Sequence, residues 1–314
     1  MAEDEKGNEM KQKKVLVLMS TYNGEKYIKR QIESIEKQKT DCLIDILIRD
    51  DGSTDSTVNI VKTLMKKYNN IKLVAGHNVG FNKSFFELFR MADGYDYYAI
   101  SDQDDIWINT KIQKSIRTIE KEGEKAPILF GACSYIVNDK KEKIGLTSQA
   151  NKELTLKNTI IQNIVPGHSQ VFNNKMLDFL KTKNDISQIY VYDYWITNLA
   201  MLFGKVYFSN DPLVEYRIHD SNSVGYGKNK MEWAKERLRR IKNGDGKKMT
   251  NQIKYFYAKF EKCIDIDSKK EIEKFINSRD NFLRRLKFVF STRLYRQKRM
   301  ETVLFKLTYL FGGF

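Results

Sequence analysis

Four short apolar runs, Val15–Met19, Ile44–Ile48, Ile71–Ala75 and Tyr97–Ile100, alternate with segments whose apolar residues recur at helical spacing. The helical sets are Tyr27, Ile28, Ile32 and Ile35, then Val58, Val61, Leu64 and Met65, then Phe81, Phe85, Leu88, Phe89 and Met91. Short runs of this kind read as strands buried on both faces, the kind found in parallel sheets covered by helices. Strands joined through helices make right-handed crossovers. The expected fold class is therefore α/β, a mainly parallel sheet flanked by helices.

The second half is less regular. Ile128–Phe130, Ser134–Val137, Gln170–Phe172, Lys205–Phe208 and Leu213–Ile218 read as strands, and Leu154–Ile161 and Val191–Phe203 as helices. From Lys230 onward the pattern turns helical and basic, broken at Asn243-Gly244-Asp245-Gly246.

Each of three polar clusters follows a predicted strand: Ser20-Thr21-Tyr22-Asn23, Asp50-Asp51-Gly52-Ser53 and Asp102-Gln103-Asp104-Asp105-Ile106-Trp107. Ligands of open α/β sheets bind beyond the carboxyl ends of the strands, so all three clusters are expected to face one crevice. Neither GxGxxG nor GxxxxGK[ST] occurs in the chain. A nucleotide must then be held by side chains and by a divalent cation bridging its phosphates. Aspartate oxygens suit Mg²⁺ or Mn²⁺. Asp50 and Asp51 have two readings, as turn and helix-cap residues or as carboxylates that accept a base N–H.

The whole series, Ser20-Thr21-Tyr22-Asn23-Gly24-Glu25, Asp50-Asp51-Gly52-Ser53-Thr54-Asp55 and Asp102–Trp107, resembles the family 2 glycosyltransferases of the GT-A fold over roughly residues 14–225. The form Ser-Asp-Gln-Asp-Asp-Ile-Trp is similar, within that family, to bacterial rhamnosyltransferases that build cell-surface polysaccharide. The resemblance implies that Ser20, Thr21 and Asn23 contact the nucleotide and that Asp51 reads a pyrimidine. It implies Asp104 as metal ligand and Asp102 beside the ribose or on the metal; Asp105 is read as a cap of the next helix. Asn109 and Thr110 stand where the family often has Pro-Asp, so that helix is expected to start differently. Asp193, in Tyr192-Asp193-Tyr194-Trp195, matches the catalytic base. The segment Glu215–Asp220 resembles the one that closes over the diphosphate, with Arg217 on phosphate and His219 as a metal ligand. His168 follows Pro166-Gly167, where the family positions acceptor.

The residues themselves leave alternatives. Aromatic neighbours would desolvate Asp193 and raise its basicity, or Asp193 is a plain helix-start carboxylate stabilised by the macrodipole. His219 is a ligand or a surface residue after an edge strand, and His168 is a turn residue or lies near the acceptor. By resemblance the partners are a nucleoside-diphosphate sugar donor, dTDP-rhamnose or else a UDP-hexose, and a saccharide or lipid-linked saccharide acceptor, with inversion at the transferred carbon. Two rivals are a sugar nucleotidyltransferase, which should carry a Gly-rich loop after its first strand, and a non-catalytic saccharide- or membrane-binding scaffold.

Charge divides the chain. Of 55 basic and 40 acidic side chains, 24 and 10 lie in residues 228–314, leaving the first 227 residues almost balanced. The expected organisation is a disordered lead-in over 1–13, a catalytic domain over 14–227 and a basic helical region over 228–314. In that last region Phe282, Leu283, Leu286, Val289 and Phe290 form an apolar stripe flanked by Arg284, Arg285 and Lys287. Such helices lie on anionic membranes, or their stripes pack on the body and the charges are solvated. No nucleic-acid motif accompanies the charge. Three scattered cysteines with no CxxC argue against disulfides and zinc and fit a reducing compartment. No stretch reaches the ~18 apolar residues of a spanning helix. The expected location is the cytoplasmic face of the cell membrane.

Overall fold

The computed structural model describes residues 12–121, 123, 125–138, 140, 142–147, 149–182, 184–218, 239 and 243–314. The lead-in expected over 1–13 lies outside the described residues except for Gln12 and Lys13, and Lys13 O accepts from Leu43 N.

The strands and helices of the first half follow in the expected order: β1 (Lys14–Thr21), α1 (Ile28–Glu36), β2 (Leu43–Asp50), α2 (Thr57–Met65), β3 (Ile71–Ala75), α3 (Phe81–Met91) and β4 (Tyr97–Ser101). Then come β5 (Ile106–Trp107), α4 (Lys111–Lys121), β6 (Ile128–Ala132), β7 (Tyr135–Val137), β8 (Lys143–Leu146), α5 (Leu156–Thr159), β9 (Val171–Asn173), α6 (Asn174–Lys181), α7 (Tyr192–Phe203), β10 (Lys205–Ser209) and β11 (Val214–Arg217). The C-terminal region adds α8 (Asp245–Phe260), α9 (Ile266–Asn277), α10 (Phe282–Ser291) and α11 (Arg299–Leu310).

The main sheet has the order β10-β6-β9-β4-β1-β2-β3. All its pairings are parallel except those of β9, which runs antiparallel to β4 and β6. A second, four-stranded sheet has the order β5-β11-β7-β8; β7 and β11 fall within the expected strands Ser134–Val137 and Leu213–Ile218, whereas β5 and β8 were not expected. β5 has two residues and β8 four exposed ones, too little for an alternation to register.

Side-chain alternation in β1 divides the core. Val15, Val17 and Met19 face one way and pack with Ile28, Ile32, Val61, Ile112 and Ile116 of α1, α2 and α4. Leu16 and Leu18 face the other way and join Phe85 and Phe89 of α3 and Trp195 of α7. Phe81 and Met91, counted in the helical period of α3, are exposed. Phe256, Phe275, Phe288, Phe305 and Tyr309 of the C-terminal helices belong to the same continuous cluster as Leu16 and Leu18. Trp195 stacks on Tyr255 with centroids 5.4 Å apart and meets Phe256 edge-on. The basic region is thus fastened to the helix that carries Asp193. No helix among the described residues is long and apolar enough to cross a membrane.

Phe275 touches Phe288, Phe305, Tyr309 and Phe314. Phe275→Ala is expected to lower the unfolding free energy by about 3–5 kcal/mol, measured by urea denaturation of the full chain. A loss below about 1 kcal/mol would show that α9 is not part of this core.

Candidate functional site

The three polar clusters meet at the carboxyl end of the sheet because β1, β2 and β4 are parallel neighbours. Asp51 N donates to Thr21 O at 2.8 Å, continuing the β1–β2 ladder into the loops. Gln103 laces the first loop to the third: its Oε1 accepts from Thr21 Oγ1 (2.6 Å) and Tyr22 N (2.9 Å), and its Nε2 donates to Tyr22 O (3.1 Å). Asn23 laces the first loop to the second, its Oδ1 accepting from Thr54 N and its N–H donating to Ser53 Oγ. It does so at φ 49°, in the left-handed region that Asn tolerates better than most residues. Ser20 Oγ lies 2.6 Å from Ser84 Oγ, which brings the start of α3 to the same crevice.

The paired aspartates differ. Asp50 accepts from Gly52 N, Ser53 N and Ser53 Oγ, which makes it the turn residue. Asp51 is buried, ion-paired to Arg49 at 2.5 Å, and accepts from Val79 N and Gly80 N at 2.9 Å. Its Oδ1 takes two of these donors and its Oδ2 one, so Oδ2 keeps acceptor capacity. Arg49 is held in turn by Ser84 Oγ and His77 O.

Around the acidic box, one ligand atom each of Asp102, Asp105 and His168 lies within 4.8 Å of the others. Asp105 does not cap the following helix. It is buried and accepts from Arg217 N at 3.3 Å, and α4 begins only at Lys111. Asp105 Oδ2 is buried without a hydrogen-bond partner, 3.9 Å from His168 Nδ1. His168 Nε2 lies 2.8 Å from Ser134 Oγ, and the ring stacks on Tyr216. Burial, reinforced by the Lys111 charge, pushes this imidazole down to about 3, so it is neutral with a lone pair to offer.

The acids move the other way. Burial, then repulsion by Asp104 and Asp193, pushes Asp102 up to about 7. Burial, then Asp104 and Asp102, raises Asp105 well above the carboxylate range. Lys111, wholly buried, donates to His168 O at 2.7 Å and lies 3.4 Å from the Trp107 ring centre; burial pushes its ammonium well below the usual lysine range, against the pull of Asp105 and Asp102. Mutually repelling carboxylates, a neutral imidazole and an unpartnered buried oxygen fit a divalent cation. Asp104 stands partly buried beside the cluster, its carbonyl accepting from Arg217 Nε at 3.1 Å. Arg217 itself is buried, with its guanidinium over the Tyr27 ring. His219 lies outside the described residues.

Asp193 occupies the first turn of α7. Its Oδ2 accepts from Gly167 N at 2.9 Å and its Oδ1 from Tyr194 N at 2.7 Å. Burial pushes it up to about 6, against hydrogen bonds from Asn163, Gly167 and Tyr194 that favour the charged form. The 3₁₀ turn Gly167–Ser169 therefore carries the donor to Asp193 at one end and the imidazole of the acidic cluster at its centre. Gly167 has no room for a side chain, since a Cβ would lie 2.2 Å from Tyr192 Oη. Sequence reasoning missed the parts of Gln103, Asp105 and Lys111. The signal for Lys111 was a cation at the foot of an amphipathic helix four residues after an aromatic.

Residues 16–180 match the family model described as Glycosyl transferase family 2. The dTDP-rhamnosyl transferase RfbG of Shigella flexneri is 31% identical over 218 residues, covering 66% of this chain and 73% of that protein. An uncharacterized glycosyltransferase of Nostoc sp. is 26% identical over 216 residues, covering 67% and 66%. Among solved structures, S. aureus TarS 1-349 in complex with UDP-GlcNAc aligns with TM-score 0.56 at 16% identity, over 95% of this chain and 90% of that one. The mannosyltransferase PcManGT of Pyrobaculum calidifontis, in complex with GDP-Man and Mn²⁺, aligns with TM-score 0.57 at 14% identity, over 97% and 86%. Of a longer TarS chain this protein covers 44%.

Proposed function

Because the chain belongs to glycosyl transferase family 2, a family of nucleotide-sugar-dependent transferases, we propose that it moves rhamnose from dTDP-rhamnose onto a hydroxyl of a saccharide or lipid-linked saccharide at an anionic membrane surface. The observation that carries the transferase reading is the pairing of two environments at one crevice. A carboxylate raised to about 6 at Asp193 lies close enough to the acidic cluster to raise Asp102. The first suits proton removal near neutral pH, the second a metal diphosphate. The sugar assignment is supported by the similarity to the dTDP-rhamnosyl transferase of Shigella flexneri. A UDP-hexose donor is the second reading, favoured by the UDP-GlcNAc held by TarS.

In the proposed mechanism Ser20, Thr21 and Asn23 border the nucleotide and Asp51 Oδ2 accepts the pyrimidine N–H. Asp102 and Asp104, with Asp105 and His168 at the back of the same cluster, would hold Mg²⁺ or Mn²⁺; His219 is a further proposed ligand. When bound, that cation offsets charge developing on the departing diphosphate. Asp193 takes the acceptor proton as the hydroxyl attacks the anomeric carbon from the face opposite the diphosphate, giving inversion. Gly167 N and Tyr194 N keep the carboxylate aimed. Arg217, anchored to the Asp104 carbonyl, adds positive charge at the phosphate end.

A thermal-shift series tests the donor. With Mn²⁺ and saturating dTDP-rhamnose the midpoint is expected to rise on the order of 5 °C, and less with UDP-glucose or UDP-GlcNAc. A larger rise with a UDP-sugar would replace the rhamnosyl assignment. No shift and no donor hydrolysis with any nucleotide-sugar would favour the non-catalytic scaffold.

A further inference from the structure

The C-terminal stripe foreseen in the sequence is split by the fold. Of its residues Val289 is buried, as is the neighbouring Phe288, whereas Phe282 is exposed and Leu283 and Phe290 are 74% and 85% exposed. On the next helix Met300, Val303, Leu307 and Phe311 recur at i, i+3, i+7 and i+11, one face of a helix, and all four are exposed, Phe311 at 76%. Phe288 stacks near Tyr309 with centroids 4.3 Å apart, and Arg285 reaches Gly312. These two contacts run in opposite chain directions, so α10 and α11 form an antiparallel hairpin, with Phe290 level with Leu307. Scattered exposed apolar residues are ordinary, but a periodic row on one helix with aromatic neighbours on the next is not.

The charge around these residues is of one sign. From Arg279 to Phe311 the chain has nine basic and two acidic side chains. Arg284, Lys287, Arg293, Lys298 and Arg299 are exposed on the hairpin and its connection. Exposed aliphatic and aromatic side chains among lysines and arginines match the chemistry of an anionic lipid surface, apolar chains below and phosphates above. A second copy of this chain would present the same positive charge and repel.

The connection between the helices also touches the acceptor side. Gln297 Oε1 accepts from Asn151 N and Lys152 N, and Gln297 Nε2 donates to Asn158 Oδ1 at 2.6 Å. Gln162 donates to Glu301, and the stretch it belongs to runs on into the turn whose Gly167 N–H holds Asp193. We propose that the α10–α11 hairpin is the membrane-docking element, with Leu283, Phe290, Met300, Val303, Leu307 and Phe311 entering the headgroup region of an anionic bilayer. The proposal rests on the membrane location given above and not on the identity of the donor sugar.

The test is co-sedimentation of the full chain with vesicles of phosphatidylcholine alone and of phosphatidylcholine with about 30% phosphatidylglycerol. The chain is expected to bind the second and not the first, and to release as salt is raised. Phe290→Ser with Phe311→Ser, and separately Lys298→Glu with Arg299→Glu, are each expected to weaken partition at least about tenfold. Donor hydrolysis without lipid tests the transferase reading by itself and is expected to be unchanged in both variants. Wild-type partition by the Phe290/Phe311 variant overturns the hairpin assignment and leaves the membrane location standing. Failure of the wild-type chain to bind anionic vesicles overturns both. A lipid-free dimer that the same variant converts to monomer, seen by light scattering, would assign the face to a second copy instead.

Discussion

Asp193→Asn is expected to cut sugar transfer about a thousandfold or more while leaving nucleotide-sugar affinity within about twofold, since in the proposed mechanism it removes the general base and nothing that borders the nucleotide. Single-turnover transfer and a donor-binding titration on the same protein check the two halves. Wild-type transfer should fall as pH drops through about 6, where Asp193 takes up a proton. The asparagine variant should lack that limb. The same raised value bears on stability, in the opposite direction to an ion-paired carboxylate. Folded Asp193 holds its proton more tightly than an unfolded aspartate, so its ionisation favours the unfolded chain. Its contribution to stability falls as pH rises from about 4 to about 6. A variant that kept near-normal turnover, or that kept the acid limb, would remove Asp193 from the mechanism.

The second large effect concerns the acidic cluster. Chelation with EDTA is expected to lower transfer about a hundredfold to ten-thousandfold, restored by Mn²⁺ or Mg²⁺. Asp102→Asn should weaken Mn²⁺ binding at least about tenfold by titration calorimetry. That readout does not pass through catalysis, so it separates loss of the cation from loss of the donor. The physical reason is the balance of charge. Asp102 and Asp105 lie beside a neutral His168 and are both repelled by Asp104, while burial drives the Lys111 ammonium well below its usual range, so the acids lack a full internal counter-charge there. Full turnover after exhaustive chelation would sink the metal assignment. Unchanged Mn²⁺ affinity in Asp102→Asn would move the ligand role to the neighbouring acids.

The main sheet was readable because β1 is apolar on both faces, so that Val17 and Leu18 alike needed a helix to cover them. The crevice was readable for a related reason, since parallel strands bring their carboxyl ends to one side. What could not be read was anything that depends on a long-range contact with no periodicity. Gln103 looked like a filler between two acids, yet it ties Thr21 and Tyr22 to the box. Asp105 looked like a cap because it precedes a helix, and only the return of Arg217 on β11 shows why it is buried. Asp50 and Asp51 are chemically identical neighbours. Their split into a turn residue and an ion-paired carboxylate follows from Arg49 and the 77–80 loop, which no local pattern announces. Of the apolar stripe of the tail only Val289 is buried, Leu286 is partly covered, and Phe282, Leu283 and Phe290 face solvent.

The Gly167–Ser169 turn has a consequence for how such a protein can diversify. Three residues serve two masters: the first donates to Asp193, the proposed base, and the second belongs to the cluster proposed to hold the cation at the donor. New acceptor preferences therefore cannot be acquired by reshaping this turn without disturbing the donor half. Variation is channelled into the stretches on either side of it, and the turn itself is left as a fixed point about which substrate range drifts.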